Sequence, residues 1–215
     1  MPIKIENGGR AVKRFFRIWN NFVFHSVHFV SAVRNDESSE EKFLTDPLTG
    51  IFNRRAFDEL SEEELHRLRG GRSTLSVVYL DVNNFKDIND RLGHEAGDRV
   101  LEEIGRILRE CSRSTDVVAV PGRIGGDEFG VLLPNTSADE ASAFVGRVCR
   151  AMVTASEKLS REFREDCSFA CSFGVAESAQ ESAETIRGLR KVADSRLYAD
   201  KKSNHKKRQP VLASA

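Results

Sequence analysis

From residue 54 onward the apolar positions switch between a period near 3.6 and a period of two, and those switches predict the elements. Helical spacing runs from about Arg54 to Arg69 and is stopped by Gly70-Gly71. Leu75–Leu80 then reads as strand. Residues 87–98 are polar but punctuated by Ile88 and Leu92, which predicts a short helix, a turn and the start of another helix. Val100, Leu101, Ile104, Ile107, Leu108 and Cys111 continue that second helix on one face. A hairpin follows, with arms Val117–Val120 and Phe129–Leu133. Helical spacing returns over Ser137–Ser160, strand over Cys167–Val175, and a last helix over Ala183–Ser203. This order predicts an α+β sandwich: a mainly antiparallel sheet flanked by helices.

Residues 1–34 carry six Lys or Arg against one Glu, with Phe15, Phe16, Trp19, Phe22, Val23, Val30 and Val33 among them. An amphipathic helical extension is expected. The charge-free run between Arg17 and Arg34 has only 16 residues and is interrupted by polar ones, too short for a membrane span. Three readings stay open: a dimerising helix, ranked first; a basic helix on a membrane surface through residues 10–34; or a helix packed on its own domain. Residues 35–41 are acidic and polar and read as a linker or a first helical turn, and Pro47 and Gly50 interrupt regular structure.

The chain has 215 residues, and Lys plus Arg equals Asp plus Glu at 33 each. A charge-neutral chain of this size has no overall pull toward nucleic acid, so a charged partner must be met locally. The four cysteines, Cys111, Cys149, Cys167 and Cys171, lie in apolar patterns without Cys-x-x-Cys pairing and read as reduced core residues of a cytoplasmic protein.

The candidate chemistry is acidic. At the hairpin tip, Gly125-Gly126 precedes Asp127-Glu128, a tight turn carrying concentrated negative charge. Alone it would be a solvated turn. However, Leu75–Leu80 ends in Asp81, and if that strand lies beside the hairpin the carboxylates converge. Clustered carboxylates with only oxygen donors call for a hard divalent cation, magnesium or manganese.

Arg123-Ile124-Gly125-Gly126-Asp127-Glu128-Phe129 resembles the defining motif of GGDEF domains, the diguanylate cyclases that condense two GTP into cyclic di-GMP. Three more blocks match in order: Asp46–Phe57, Asp81–Asp98 and Ala193–Lys201, so the resemblance covers about residues 43 to 207. It implies a palm-like nucleotidyl cyclase fold over 43–207, with residues 1–42 as helix and linker and 208–215 as a tail. It also implies that Asp81, the Val82 carbonyl and Asp127 hold magnesium or manganese, with Asp127 and Glu128 in catalysis. Asn84, Phe85 and Lys86 would cradle phosphates; Asn89 and Asp98 would hold guanine, whose N–H donors suit a carboxylate, unless they only cap helices. Lys201 would be a further substrate contact, and so would His94 unless it only stabilises the turn. Arg113 and Asp116 have the Arg-x-x-Asp form of an inhibitory product site, to which a partner subunit's Arg147 would add, unless Arg147 is an exposed helix charge. Catalysis would require a homodimer. Asn53 and Arg54 would be scaffold.

The chain departs from the family pattern in three places. Asn204-His205-Lys206 stands where Gly-Arg-Asn is usual, putting His205 in place of a phosphate-binding arginine. Asn83 replaces a frequent Asp. Val120-Pro121-Gly122 reads as an insertion that would bulge the strand and displace Arg113. Rival readings are a non-catalytic receptor for cyclic di-GMP or GTP, and a cyclase accepting adenine nucleotides, which Asp98 argues against. A polymerase would need template-binding domains for which the chain has no room.

Overall fold

A computed structural model describes residues 44–68, 74–113, 119–181, 183 and 185–208. The expectations for residues 1–42, for Gly70-Gly71 and for Asp116 lie outside them. The elements are α1 (Arg54–Leu68), β1 (Leu75–Val82), α2 (Phe85–Leu92), α3 (His94–Arg113), β2 (Val120–Arg123), β3 (Glu128–Pro134), α4 (Ala138–Phe163), β4 (Cys171–Glu177) and α5 (Ile186–Arg208). The strands form one antiparallel sheet in the order β2-β3-β1-β4. This is the α+β architecture expected.

Alternation along β1 divides the layers. Val78, Leu80 and Val82 join Phe129, Val131 and Leu133 of β3 in a core with Val100, Ile104 and Leu108 of α3 and Phe144, Val148 and Met152 of α4. Tyr79 and Asp81 take the other face. There the Tyr79 ring meets Phe57 of α1 edge to face, with centroids 6.3 Å apart, and the Arg190 guanidinium of α5 lies 5.3 Å from its centre. Burial, the largest influence, pushes the Tyr79 phenol up to about 12. A capping box opens α4: the Ser137 hydroxyl accepts from the Glu140 amide, and the Glu140 carboxylate accepts from the Ser137 amide.

Several boundaries differ from the sequence expectation, each for a local reason. Val120-Pro121-Gly122 does not bulge: it pairs in uninterrupted register with Leu132, Val131 and Gly130. β2 is an edge strand, where a proline without an N–H costs no ladder bond. The Pro121 carbonyl accepts from the Phe52 amide at 3.2 Å, and the Gly122–Gly130 pair leaves room for the Phe57 ring, 2.6 Å from where either Cβ would stand. The last strand starts at Cys171 rather than Cys167, because the buried Ser156 hydroxyl of α4 bonds both the amide and the carbonyl of Phe169, at 3.1 and 3.2 Å. Cys167, Phe169 and Cys171 are still buried, but Phe173 is only half-buried. Cys149 is exposed, contrary to expectation: on α4 it stands one position off the stripe of Ala141, Phe144, Val148 and Met152. All four thiols are free. The last helix continues five residues past Ser203, to Arg208.

Two contacts fix the flanks of the sheet. α5 is seated directly on β4 at Gly174, where a Cβ would stand 2.0 Å from the Ala193 carbonyl oxygen and 2.6 Å from the Leu197 amide. On the other flank, Arg123 binds two turns at once. Its Nε and Nη2 donate to the Gly126 carbonyl at 3.2 and 2.7 Å, and its Nη1 donates to both Asp46 oxygens at 3.1 and 3.2 Å. Asp46 also accepts from the Thr49 amide and hydroxyl, at 2.9 and 2.8 Å, within a turn closed by Gly50 at φ 67°. Burial alone would raise the Asp46 carboxyl, but the Thr49 bonds and Arg123 outweigh it and hold the group below its ordinary 3.8.

Two outcomes follow for stability. Gly174→Ala forces a side chain into helix backbone and lowers unfolding stability by about 1–3 kcal/mol, read as a lower urea midpoint at unchanged slope; an unmoved midpoint contradicts the contact. Because the folded-state value of Asp46 is depressed, its contribution is complete above 3.8 and is lost as pH falls through the folded value. Urea unfolding of Asp46→Asn therefore depends less steeply on pH than wild type below about pH 4.

Candidate active site

Asp81 ends the Tyr79–Asp81 face of β1, with Glu128 of β3 opposite it on one side and Ser172 of β4 on the other. The hairpin turn closes against this strand: the Val82 amide donates to the Asp127 carbonyl at 3.2 Å, while the Ile124 and Gly125 amides donate to the Glu128 carbonyl at 2.8 and 3.2 Å. The acids that sequence spacing placed at two strand ends are therefore neighbours. Asp81 is 7% exposed. Burial, the largest effect, together with the Asp127 charge, raises its carboxyl above the ordinary value despite Lys201. The Lys201 ammonium of α5 stands 2.6 Å from Asp81 Oδ2.

The two glycines of the turn serve a different purpose from the one sharp turning suggests. Neither Gly125 nor Gly126 has a positive φ. A Cβ at Gly126 would meet nothing within 4 Å, so the turn leaves open space beside the acids. Next to it a cleft of about 240 Å³ is lined by Tyr79, Glu128, Arg190, Asp194, Tyr198 and Lys201, among others. A second cleft, about 380 Å³, lies behind the 46–50 turn, and its charges meet inside it, with Glu103 paired to both Arg106 and Lys158.

The remaining expected substrate residues come from α2 and α3. Asn84 precedes α2 in a left-handed conformation (φ 55°) without a side-chain capping bond, and Phe85 and Lys86 begin the helix. Their amides have no carbonyl one turn earlier to bond. Gly93 (φ 85°) breaks α2 from α3. Asn89 packs across the break, its Oδ1 only 2.0 Å from where a Cβ on Gly97 would be, which brings it beside the turn carrying Asp98. Asn89 and Asp98 are each the fifth residue of their helices, so capping does not explain them. His94 and Asp98 are exposed.

His205 falls four residues after Lys201 on α5, and its side chain lies outside the described residues, as does that of Arg113. Arg147 is not an exposed helix charge. Its Nε and Nη2 are buried without a hydrogen-bond partner among the described residues, and its guanidinium lies 5.5 Å from the centre of the Phe144 ring.

Among the described residues no group of three or more His, Cys, Asp and Glu side chains is arranged for a metal ion. What is present is a smaller donor set: a buried carboxylate, a second carboxylate that repels it, and the adjoining main-chain carbonyl of Val82. Such a set fits a hard divalent cation sharing its shell with other oxygens. Lys201 places positive charge at the same spot. No sequence signal marks the pairing of Arg123 with Asp46, though both lie in matched blocks, or the place of Arg190 and Tyr198 in the cleft.

The chain matches the family model described as "Diguanylate cyclase, GGDEF domain" over residues 43–207. It is 39% identical over 168 residues to diguanylate cyclase DgcP of Pseudomonas aeruginosa, covering 78% of this chain and 24% of that protein. It is 32% identical over 186 residues to diguanylate cyclase A of Treponema denticola, covering 85% of this chain and 48% of that protein. The chain thus spans about a quarter to a half of the length of these relatives. The crystal structure of the GGDEF domain of DgcB from Caulobacter crescentus in complex with c-di-GMP superposes with a TM-score of 0.65 at 27% identity, over 80% of this chain and 94% of that one. By its motif, its four-stranded sheet and these similarities, the chain belongs to the GGDEF domain family.

Proposed function

We propose that the chain is a diguanylate cyclase that joins two GTP into cyclic di-GMP, the 3'-hydroxyl of each nucleotide attacking the α-phosphate of the other and pyrophosphate leaving. The observation that carries this is the meeting of Asp81, Asp127 and Glu128 at the end of β1, with Lys201 reaching into the same point. Asp81, the Val82 carbonyl and Asp127 would hold magnesium or manganese, which when bound neutralises phosphate charge and eases deprotonation of the hydroxyl. Asp127 and Glu128 are the candidates for proton transfer. The first amides of α2, at Phe85 and Lys86 after Asn84, receive the β- and γ-phosphates at the positive end of that helix. Lys201 supplies a further phosphate contact, and His205, one turn on, stands where an arginine is usual.

Asn89 and Asp98 select guanine. A carboxylate accepts from the N1–H and 2-amino donors of guanine, whereas adenine presents an acceptor at N1. Gly97 makes this possible by admitting the Asn89 side chain against α3, and His94 opens the same helix. Each subunit offers one such site, so two must face each other. We propose that residues 1–42 bring the catalytic domains, residues 43–207, together. Product inhibition would use Arg113 and Asp116 of one subunit with Arg147 of the other; burial of Arg147 Nε and Nη2 favours a structured role for it over a solvated one.

No described helix is long and apolar enough to cross a membrane. The second reading, a receptor that binds cyclic di-GMP or GTP without turnover, rests on His205. Chromatography of GTP incubated with the protein and magnesium separates the two.

In that assay wild type forms cyclic di-GMP, and Asp127→Ala lowers the rate about a hundred-fold or more, on the scale of several kcal/mol of lost charge stabilisation. Wild-type turnover by that variant refutes the assignment. Chelation of the divalent ion stops product formation, and added magnesium restores it. Specific activity also falls on dilution, because a single subunit holds only half of the reacting pair.

A further inference from the structure

A polar chain crosses from the last helix to the end of β1, and none of its members has a role in the reading above. Asp200 of α5 accepts from the Phe173 amide of β4 at 3.0 Å and from Asn204 Nδ2 at 3.2 Å. Asn204 Nδ2 also donates to Ser172 Oγ at 3.0 Å, and that hydroxyl donates to Asn83 Oδ1 at 2.8 Å. The directions are fixed by chemistry. An ionised carboxylate only accepts, so Asp200 must face the amino side of the Asn204 amide. Ser172 then accepts from Asn204 and has one proton left, which goes to Asn83.

The position of this chain gives it a consequence. Ser172 is fully buried and stands opposite Asp81 in the β1–β4 ladder. Asn83 follows Val82. Asp200 precedes Lys201, whose ammonium is on Asp81. Phe173 belongs to an edge strand, so its amide needs a partner from outside the sheet, and Asp200 provides it. The four side chains thus bind the Lys201 turn of α5 to β4 and to the end of β1, the strand that carries Asp81. Gly174 fixes how close α5 comes to β4, and this chain fixes where along the strand and at what rotation.

Building on the proposed cyclase reading, we infer that Asp200 and Asn204 are positioning residues that hold Lys201 in register with the triphosphate end of the nucleotide, through Ser172 and Asn83. They touch no reacting atom. Their loss leaves the chemistry intact and weakens capture of the phosphates.

The test uses the full chain with two readouts. One is the kcat and KM for GTP with magnesium; the other is equilibrium binding of the α,β-methylene analogue of GTP, whose bridging carbon cannot leave as pyrophosphate. Asn204→Ala and Asp200→Ala each raise KM and weaken analogue binding about five- to ten-fold, the scale of one lost positioning hydrogen bond, while kcat stays within about two-fold. Asp200→Asn retains an oxygen that accepts from both Phe173 and Asn204, and it restores wild-type affinity. Analogue affinity equal to wild type in both alanine variants overturns the inference, as does a parallel fall of kcat and melting temperature with KM unchanged. If Asp200→Ala fails to fold, Asn204→Ala, near the end of α5, decides the question alone. A wild-type protein that binds the analogue but forms no cyclic di-GMP removes the cyclase reading and leaves the positioning inference to the binding arm.

Discussion

The guanidinium of Arg123, reaching Asp46 across 77 positions of sequence, makes two turns into one rigid unit. It gives two N–H groups to the Gly126 carbonyl and a third to the Asp46 carboxylate. Gly126 has no side chain with which to hold itself, and its neighbour Asp127 is one of the acids of the site. The location of that acid therefore depends on an arginine, and the arginine depends on a carboxylate oriented by Thr49. Lysine could not replace it, since a point ammonium cannot address two acceptors in a planar fork. The turn around Asp46 also covers the outer edge of β2 through Phe52, so a displacement upstream would reach the acids by a short path of polar bonds.

β1 serves the core and the site together. Its even-numbered positions Val78, Leu80 and Val82 are locked among α3 and α4, and the alternation of the pleat puts Tyr79 and Asp81 on the opposite face. A buried central strand with a neighbour on each side cannot shift its register without exposing all three apolar residues. The carboxylate of Asp81 thus has the rigidity of the core without being part of it, which is what a site that must hold charge at fixed distances requires.

What could be read from the sequence was whatever is local. An acid terminating an apolar run, and a pair of acids in a glycine turn between two strands, are local signals, and their meeting follows from antiparallel pairing. The helix faces of α3 and α4 were legible for the same reason. Partners far apart in sequence were not. Ser172 and Asn83 are 89 positions apart, and Asn204 and Ser172 are 32 apart, and no periodicity marks them. The glycines carry a similar lesson: Gly125 and Gly126 stand out locally as turn formers, yet a Cβ would collide with another element at Gly50, Gly97, Gly105, Gly122, Gly130 and Gly174. Cys149 was misplaced by counting apolar neighbours without fixing which side of α4 they occupy, and the start of β4 was hidden because Ser156 satisfies Phe169 from a different layer.

The pairing of Lys201 with Asp81 means that the free protein carries its own counter-ion. Like an ion exchanger loaded with a tethered amine, the site avoids the electrostatic frustration that bare acids would impose on the apo fold. In the cyclase reading, Asp81 would be shared between that amine and a divalent cation, and Lys201 would be the group at hand for phosphate charge. Metal and nucleotide would then load cooperatively, each lowering the cost of admitting the other.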